Sequence, residues 1–253
     1  MSLIEFEAGN YKFLAGGAFS DAVVANPGFR LHRVRFAQAM PMEEGFERLA
    51  GYLRTVDRPT SSLAACELRS PTPRSREDFN AFNDVYVKHL HSLGCRLGDK
   101  NPVARSNMAP LLSKPARSLL YAFSYTEPLQ AHDSSLIGPD FVVSGKPENK
   151  LQPDGSTLIV GGDQMDATAM VEKARYTLDV MMARVRAIGA RWDSVGSLQI
   201  YCPTDLSPLW STFEEYGLAH VGLHWFPGWP PVKGMHFEVD VRRTSKASVL
   251  DIE

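Results

Sequence analysis

Histidine and cysteine most often ligate metals or act as nucleophiles, but their spacing in this chain indicates neither role. The seven histidines contain no HExxH or comparable pattern, and His89 and His91, two residues apart on a predicted helix, face different directions. The three cysteines, Cys66, Cys95 and Cys202, are far apart and odd in number. They match neither a disulfide framework nor a zinc site. We therefore expect no metal site and no cofactor.

Two other local patterns have an unusual residue composition. Gly161-Gly162 precedes a predicted helix, but the full glycine-rich fingerprint of a phosphate-binding loop is missing. Trp225, Phe226 and Trp229 lie among several prolines. Such a cluster is consistent with an aromatic wall for a planar ligand and equally with a contact between domains or subunits.

The overall composition limits the classes of function. Of the 253 residues, 44% are hydrophobic and 22% are charged, which is typical of a soluble globular protein. A net charge of −2 without runs of Lys or Arg provides no basic surface for nucleic acid. No apolar run is long enough to span a bilayer, and the N-terminus lacks the features of a signal peptide. We expect a cytoplasmic protein that binds neither nucleic acid nor membrane.

A long amphipathic helix is the strongest structural signal. Between Met170 and Ile188, apolar residues recur at spacings that keep them on one side of a helix, with Lys173 assigned to the opposite, polar side. A strand that ends at Gly161-Gly162 precedes this helix, and a strand over residues 197–201 follows it. Together they predict a βαβ unit with a right-handed crossover.

The order of predicted elements occurs twice along the chain. The first series consists of strands near 11–14 and 29–36, a helix over 41–56, a strand over 62–68, a helix from 78, and strands over 104–109 and 118–126. The second consists of strands over 141–144 and 157–160, the long helix, a strand over 197–201, a weaker helix over 206–216, and strands near 219–226 and 235–242. We predict an α+β protein of two tandem domains, residues 1–128 and 129–253, each a mixed sheet with two helices on one face.

This order, together with several short motifs, resembles the reactive intermediate deaminase family, the Rid or YjgF-like proteins with a chorismate-mutase-like fold. The motifs that carry the resemblance are Ile137-Gly138-Pro139 with a looser copy at Gly17-Ala18-Phe19, Gly162-Asp163-Gln164 with the helix after it, Asp78-Phe79 with Asn83 and Tyr86, Pro102-Val103-Ala104-Arg105-Ser106, and Phe237-Glu238-Val239-Asp240. They extend over most of the chain, and the best matches are divided between the two halves.

The resemblance implies hydrolysis of a reactive enamine or imine acid to a keto acid and ammonia, without metal or organic cofactor. In the family, an arginine holds the substrate carboxylate and a glutamate on the last strand helps to place water. Arg105 and Glu238 fall at these two positions. A guanidinium offers a planar fork that fits a carboxylate in two parallel hydrogen bonds. An imine is already electrophilic, so positioning water and moving one proton can be sufficient catalysis.

Neither half retains both residues. The last strand of the first half, over residues 118–123, has no acid, and Leu223-His224-Trp225 stand near the missing arginine of the second half. Either one half completes the site of the other, or both sites have lost their function. Arg105 and Glu238 also have a structural interpretation as strand residues that face solvent or, for the arginine, pair with an acid.

Five further residues are candidates for substrate binding. Phe19 and Phe141 lie where the family often has a tyrosine lining the cleft, although core packing explains a phenylalanine equally well. Gln164 ends the Gly-Asp-Gln motif, and Cys202 follows a strand where a family member can carry a cleft residue, although buried thiols are commonly inert. His224 stands near the vacant arginine position, but we favour a structural role for it.

Together these observations predict a metal-independent hydrolytic deaminase of a small reactive enamine, imine or unsaturated amino acid. The alternative is a non-catalytic Rid-like protein that binds a small ligand or acts as a scaffold. The expected ligand is a small carboxylate-bearing metabolite. Because helices on one face of a sheet leave the other face uncovered, we also predict a homo-oligomer, with a trimer favoured.

Overall fold

A computed structural model of this chain describes residues 2–130 and 138–251. Within them, the strands are β1 (Leu3–Phe6), β2 (Tyr11–Leu14), β3 (Ala22–Ala25), β4 (Phe29–Pro41), β5 (Leu63–Arg69), β6 (Ala104–Pro110), β7 (Leu119–Pro128), β8 (Phe141–Pro147), β9 (Asn149–Leu151), β10 (Thr157–Ile159), β11 (Ser197–Cys202), β12 (Gly222–Trp229), β13 (Glu238–Arg243) and β14 (Lys246–Leu250). The α-helices are α1 (Met42–Thr55), α2 (Arg76–Ser92), α3 (Ala167–Ala187) and α4 (Trp210–Glu215). Ile137, part of one predicted motif, lies outside the described residues.

Two sets of four strands have the same order and the same strand directions. The first set runs β6-β5-β7-β4 and the second runs β12-β11-β13-β8. In each set the first two strands are parallel and the other neighbours are antiparallel. Helices α1 and α2 pack on one face of the first set, and α3 and α4 pack on one face of the second. The predicted α+β class, with two helices on one face of each strand set, is confirmed.

The two sets belong to one sheet of 12 strands. Strand β12 pairs with β6, where Trp229 lies opposite Ala109. Strand β3, early in the chain, pairs with β8 of the second set, and the late strand β14 pairs with β4 of the first set. Each half therefore supplies a strand to the edge of the other half. The division at residues 128 and 129 stays a prediction.

The predicted βαβ unit through the long helix is wrong. Among the described strands, β10 pairs only with β9, in a separate two-stranded sheet, whereas the neighbours of β11 are β12 and β13. The parallel neighbours instead flank the shorter helices, as β5-α2-β6 and β11-α4-β12. Strand β10 is only three residues long and is partly exposed, so it offers too few apolar side chains for a buried parallel position.

Helix α3 buries Lys173, which the sequence pattern predicts to be on the polar, solvent-facing side of the helix. The Lys173 side chain is 0% exposed, and its Nζ donates to Glu148 Oε1 at 3.3 Å, Val160 O at 2.9 Å and Gly162 O at 2.6 Å. Lys173 comes three residues after the apolar Met170, which puts both on the same side of the helix. The ammonium therefore satisfies loop carbonyls beneath α3 instead of facing water.

A network of buried ion pairs joins the two strand sets on the faces opposite their helices. Arg33 donates two hydrogen bonds to Glu67, of 2.6 and 2.8 Å. Arg242, from the second set, is bonded both to Glu67 and to Asp240 Oδ1, the latter at 2.7 Å. Asp240 also accepts from the Tyr201 hydroxyl at 2.6 Å. Every acid in this network therefore has a partner that compensates for its burial.

Burial of this network has two consequences. Burial by itself would raise the pKa of Glu67, but Arg242 and Arg33 outweigh it and lower the pKa below its usual range. In addition, these faces are covered within a single chain, because Glu67, Arg242 and Asp240 are at most 2% exposed. We predicted association because the sheet face opposite the helices would be uncovered, and this reason does not apply to these residues. The trimer stays a prediction.

We expect Glu67→Gln to lower the free energy of unfolding by about 3–5 kcal/mol, because Arg33 and Arg242 would lose a buried anionic partner. Urea unfolding at pH 7 measures this change. Since the folded-state pKa of Glu67 is lowered, its stabilisation is present above an unfolded pKa of about 4.3 and is lost as the pH falls through the folded value. The difference between the two proteins should therefore shrink in acid.

The matched control is Glu44→Gln, because Glu44 is 61% exposed and lies 4.0 Å from Arg117. An exposed pair of this kind contributes no more than about 1 kcal/mol. Equal losses in the two variants would contradict the importance of the buried network.

Candidate active site

A cavity of about 270 Å³ lies where β6 of the first strand set approaches β8 and β13 of the second. Its charged lining residues come from both sets, because Arg105 lies on β6, Lys146 on β8, Arg184 on α3 and Glu238 on β13. The volume suits a small metabolite. Because the cavity lies between the two halves, neither half forms it alone.

Arg105 is the buried cation at one side of this cavity. Its guanidinium carbon lies 4.2 Å from the ring centre of Phe19, 4.7 Å from that of Tyr86 and 5.4 Å from that of Phe79. The residue is only 2% exposed, and among the described residues its Nη1 has no hydrogen-bond partner. Burial lowers the pKa of Arg105 to about 10, so the side chain stays charged at neutral pH. A buried guanidinium with a free donor is suited to bind a carboxylate.

Helix α2 supplies most of the aromatic wall over Arg105. Its first turn is capped by Ser75, whose Oγ accepts from the Asp78 backbone amide at 3.0 Å. Phe79, Phe82 and Tyr86 recur at spacings of three and four residues, so they lie on the same side of the helix. The apolar stripe that packs α2 onto the sheet therefore also provides ring faces that attract a cation.

Glu238 is the buried acid of the cavity. It is 3% exposed, and no described residue forms a hydrogen bond with its Oε2. Burial, followed by the neighbouring charge of Asp240, raises the pKa of Glu238 well above its ordinary range, although Arg105 opposes the shift. The carboxyl therefore holds a proton to a higher pH than an exposed glutamate would. Such a group can exchange a proton with a bound molecule near neutral pH.

A glycine on β8 makes room for this carboxyl group. A Cβ atom at Gly145 would lie 2.0 Å from Glu238 Oε1. Next to it, Ser144 connects the two strand sets, because its Oγ accepts from the Arg105 backbone amide at 2.9 Å and donates to Ser20 O at 2.5 Å. Gly145 therefore leaves space for the acid, and Ser144 holds the strand that carries Arg105.

Lys146 and Arg184 form a second cationic group. Arg184 is fixed by a bond of 2.5 Å from its Nη2 to Asp21 Oδ1. Lys146 Nζ donates to the Asn149 backbone carbonyl and, at 2.6 Å, to Asn149 Oδ1. Burial, assisted by the charge of Arg184, lowers the pKa of Lys146 to about 8. No carboxylate among the described residues forms a salt bridge with Lys146.

Of the residues singled out in the sequence, the cavity brings together Phe19, Arg105 and Glu238. The other four do not line the cavity that the described residues form. Phe141 and Cys202 are buried in the core beneath α3, whereas Gln164 and His224 are exposed.

Lys146 and Arg184 were missed in the sequence, although a signal existed for each. Arg184 follows Met170 by fourteen residues, which puts it on the apolar side of α3, where a charged residue needs a partner. Lys146 comes directly after Ser144-Gly145, at the end of an apolar strand. Arg184 is therefore a charged residue at a position that the periodic pattern predicts to be buried, whereas Lys146 is a charged residue at the end of a buried strand.

Among the described residues, the repeated strand order does not produce a second site of this composition. Strand β12, the counterpart of β6, reads Gly-Leu-His-Trp-Phe-Pro-Gly-Trp and contains no arginine. In the part of the chain that the structure describes, no three His, Cys, Asp or Glu side chains are grouped as a metal site requires. No described helix is both long and apolar enough to cross a bilayer.

Comparison with known proteins identifies the family of this chain. Residues 3–248 match the model of the CnbZ family, described as 2-aminomuconate deaminase. The chain belongs to this family. It is 34% identical over 251 residues to the 2-amino-5-chloromuconate deaminase of Comamonas testosteroni, and the match covers 98% of each protein.

The sequence identity to two solved structures is lower than that to the Comamonas testosteroni protein. A chorismatase is 9% identical, with 90% of this chain and 78% of that one covered and a TM-score of 0.45. The YjgF gene product of Escherichia coli is 18% identical, with 44% of this chain and 84% of that one covered and a TM-score of 0.30.

Gly145→Ala should lower the free energy of unfolding by about 1–3 kcal/mol, because the new methyl group would displace the Glu238 carboxyl. In a Glu238→Ala background the same change should cost less, with a coupling of at least about 0.5 kcal/mol. Urea unfolding of the four proteins measures the cycle. Gly17→Ala is the control, because no atom lies within 4 Å of its added methyl. An equal cost of Gly145→Ala in both backgrounds would contradict this packing.

Proposed function

We propose that this protein is a hydrolytic deaminase of a small unsaturated 2-amino acid, of the 2-aminomuconate type named in its family. The observation that carries the proposal is that Arg105 and Glu238, from different halves of the chain, line one cavity. The Nη1 atom of the Arg105 guanidinium has no hydrogen-bond partner among the described residues, and the carboxyl group of Glu238 has a raised pKa. Binding a carboxylate and moving protons are the two tasks that this reaction requires.

Substrate binding begins with the carboxylate next to the amino carbon. Its oxygens accept hydrogen bonds from the Arg105 guanidinium, which no described acid already occupies. The rings of Phe19, Phe79 and Tyr86 surround the cation and limit access of water. The charge attraction is therefore stronger than it would be in bulk solvent. This binding holds the amino-bearing carbon in one orientation relative to Glu238.

The first chemical step converts the enamine into an imine. A proton is added to a carbon of the conjugated double bond, and the nitrogen lone pair makes the C–N bond double, so the nitrogen carries the positive charge of a protonated imine. Protonated Glu238 supplies a proton from inside the cavity, where its raised pKa keeps it available. The imine that results is electrophilic at carbon.

Hydrolysis follows at that carbon. Water forms the new C–O bond, the π electrons of the C=N bond move to nitrogen, and ionised Glu238 accepts a proton from the water. Glu238 then gives this proton to the nitrogen, the C–N bond breaks with its electron pair on nitrogen, and C=O forms as the oxygen passes its remaining proton to Glu238. The net reaction consumes one water and yields one keto acid and one ammonia. The proposal includes no metal or organic cofactor, because the imine carbon already accepts a nucleophile.

Arg105→Ala should reduce kcat/KM for ammonia release from 2-aminomuconate by about 10²–10³-fold, because the substrate would lose its buried charged donor. Glu238→Gln should reduce kcat by about 10²–10⁴-fold, since an amide cannot transfer the proton. Release of ammonia, measured against the rate in buffer, checks both variants.

The matched control is Arg117→Ala, because Arg117, like Arg105, stands in an Ala-Arg-Ser sequence but is 68% exposed. Its activity should stay within about twofold of the wild type, as is usual for an exposed side chain away from a site. Ammonia release no faster than in buffer, or unchanged in Arg105→Ala, would refute the proposed reaction.

The pH profile should report the raised pKa of Glu238. Activity that needs the protonated carboxyl persists above the ordinary glutamate pKa of about 4.3 and declines as the pH rises through the folded-state value. A profile of kcat/KM should therefore show a falling limb that is absent from the residual activity of Glu238→Gln. The same limb in both proteins would assign it to another group.

A further inference from the structure

The charges that line the cavity are unbalanced. Its cationic residues are Arg76, Arg105, Lys146 and Arg184, and its acidic residues are Asp21 and Glu238. Of these acids, Asp21 is bonded to Arg184, and Glu238 has a raised pKa. The described lining therefore has more positive charge than binding of one carboxylate needs.

The cations lie in two groups on different elements. Arg105 is on β6 beneath the rings of α2, whereas Lys146 and Arg184 are on β8 and α3. Glu238 lies against Gly145, the residue before Lys146. The charge of Glu238 affects the pKa of Arg105, of Lys146 and of Arg184, so its carboxyl is within electrostatic reach of both groups. A ligand that contacts both cationic groups would therefore pass close to Glu238.

Lys146 has a donor left for a ligand. An ammonium has three donors, and the two described acceptors of Lys146 Nζ are both on Asn149. Neutral acceptors hold the side chain in place without neutralising its charge. Arg184, which is fixed by Asp21, adds a second positive charge nearby.

We propose that Lys146, supported by the charge of Arg184, binds the second carboxylate of an unsaturated dicarboxylate whose first carboxylate is bound by Arg105. Lys146 is then a specificity-determining residue that distinguishes diacids from monoacids. This inference rests on the role of Arg105 in the proposed function. It adds the residue that recognises the far carboxylate of that substrate.

Muconate and sorbate test this inference by direct binding. They share a six-carbon diene and differ in whether the last carbon is a carboxylate or a methyl group. Neither has an amino group, so neither can be deaminated. Titration calorimetry should show that the wild type binds muconate about tenfold to a hundredfold more tightly than sorbate, which is the range for one added charged hydrogen bond.

Lys146→Met should bring this ratio close to one, and Lys146→Arg should retain part of it. Lys150→Met is the matched control, because Lys150 is exposed on β9 and does not line the cavity. It should retain the full ratio. Equal binding of the two acids by the wild type, an unchanged ratio in Lys146→Met, or an equal loss in Lys150→Met would each overturn the inference.

A pH titration of the wild type tests the inference without a substitution. Burial lowers the pKa of Lys146 to about 8, with the charge of Arg184 acting in the same direction and those of Glu238, Asp21 and Glu148 opposing it. The preference for muconate should therefore fall as the pH rises through about 8, because the ammonium loses its proton. A preference that is constant from pH 7 to pH 9.5 would contradict the role of Lys146.

The outcomes separate this inference from the proposed reaction. If 2-aminomuconate releases ammonia but muconate and sorbate bind equally, the reaction stands and the role of Lys146 fails. If muconate is preferred through Lys146 but no ammonia is released, the role of Lys146 stands and the reaction fails.

Discussion

The ion pairs from Arg33 through Glu67 and Arg242 to Asp240 are the interaction on which the rest of the structure depends. They join β4 and β5 of the first strand set to β13 of the second. A shift of one residue along any of these strands would turn a buried charge away from its partner and leave it uncompensated. The same strands position the cavity, because Glu238 is two residues before Asp240 and Cys66, next to Glu67, lies opposite Arg105. The network therefore fixes the geometry between Arg105 and Glu238.

The cavity differs from this network in how its charges are compensated. In the network each carboxylate accepts from at least one buried donor. In the cavity, Arg105 Nη1 and Glu238 Oε2 have no partner among the described residues. Burying such groups costs stability, which a ligand with matching charges would recover on binding. The difference in pairing separates charges that hold the fold together from charges that are available to a substrate.

Sequence periodicity predicts most helices and the strands of each set, because those elements depend on local spacing of apolar residues. Arg105 and Glu238 are found instead through the short motifs that resemble the Rid family. The apolar spacing of α3 puts Lys173 and Arg184 on its buried side but does not give their partners, because Glu148 and Asp21 are distant in sequence. Strands β3 and β14 depend on partners from the opposite half, so no local pattern specifies them. The predicted βαβ unit fails for a related reason. The position of β10 depends on its pairing with β9, and not on its being the strand that precedes α3 in the sequence.

The exchange of edge strands between the halves has a consequence for how the protein folds. Ala22 pairs with Val143, and His32 pairs with Lys246, so these two ladders close loops of more than a hundred residues. Contacts of such long sequence separation form late, after the entropy of loop closure has been overcome. During synthesis β3 must wait for β8, and Arg105 leaves the ribosome well before Glu238 does. The cavity therefore acquires its acid only when nearly the whole described chain is available, and a partly made chain has a carboxylate-binding cation without the group that would transfer a proton.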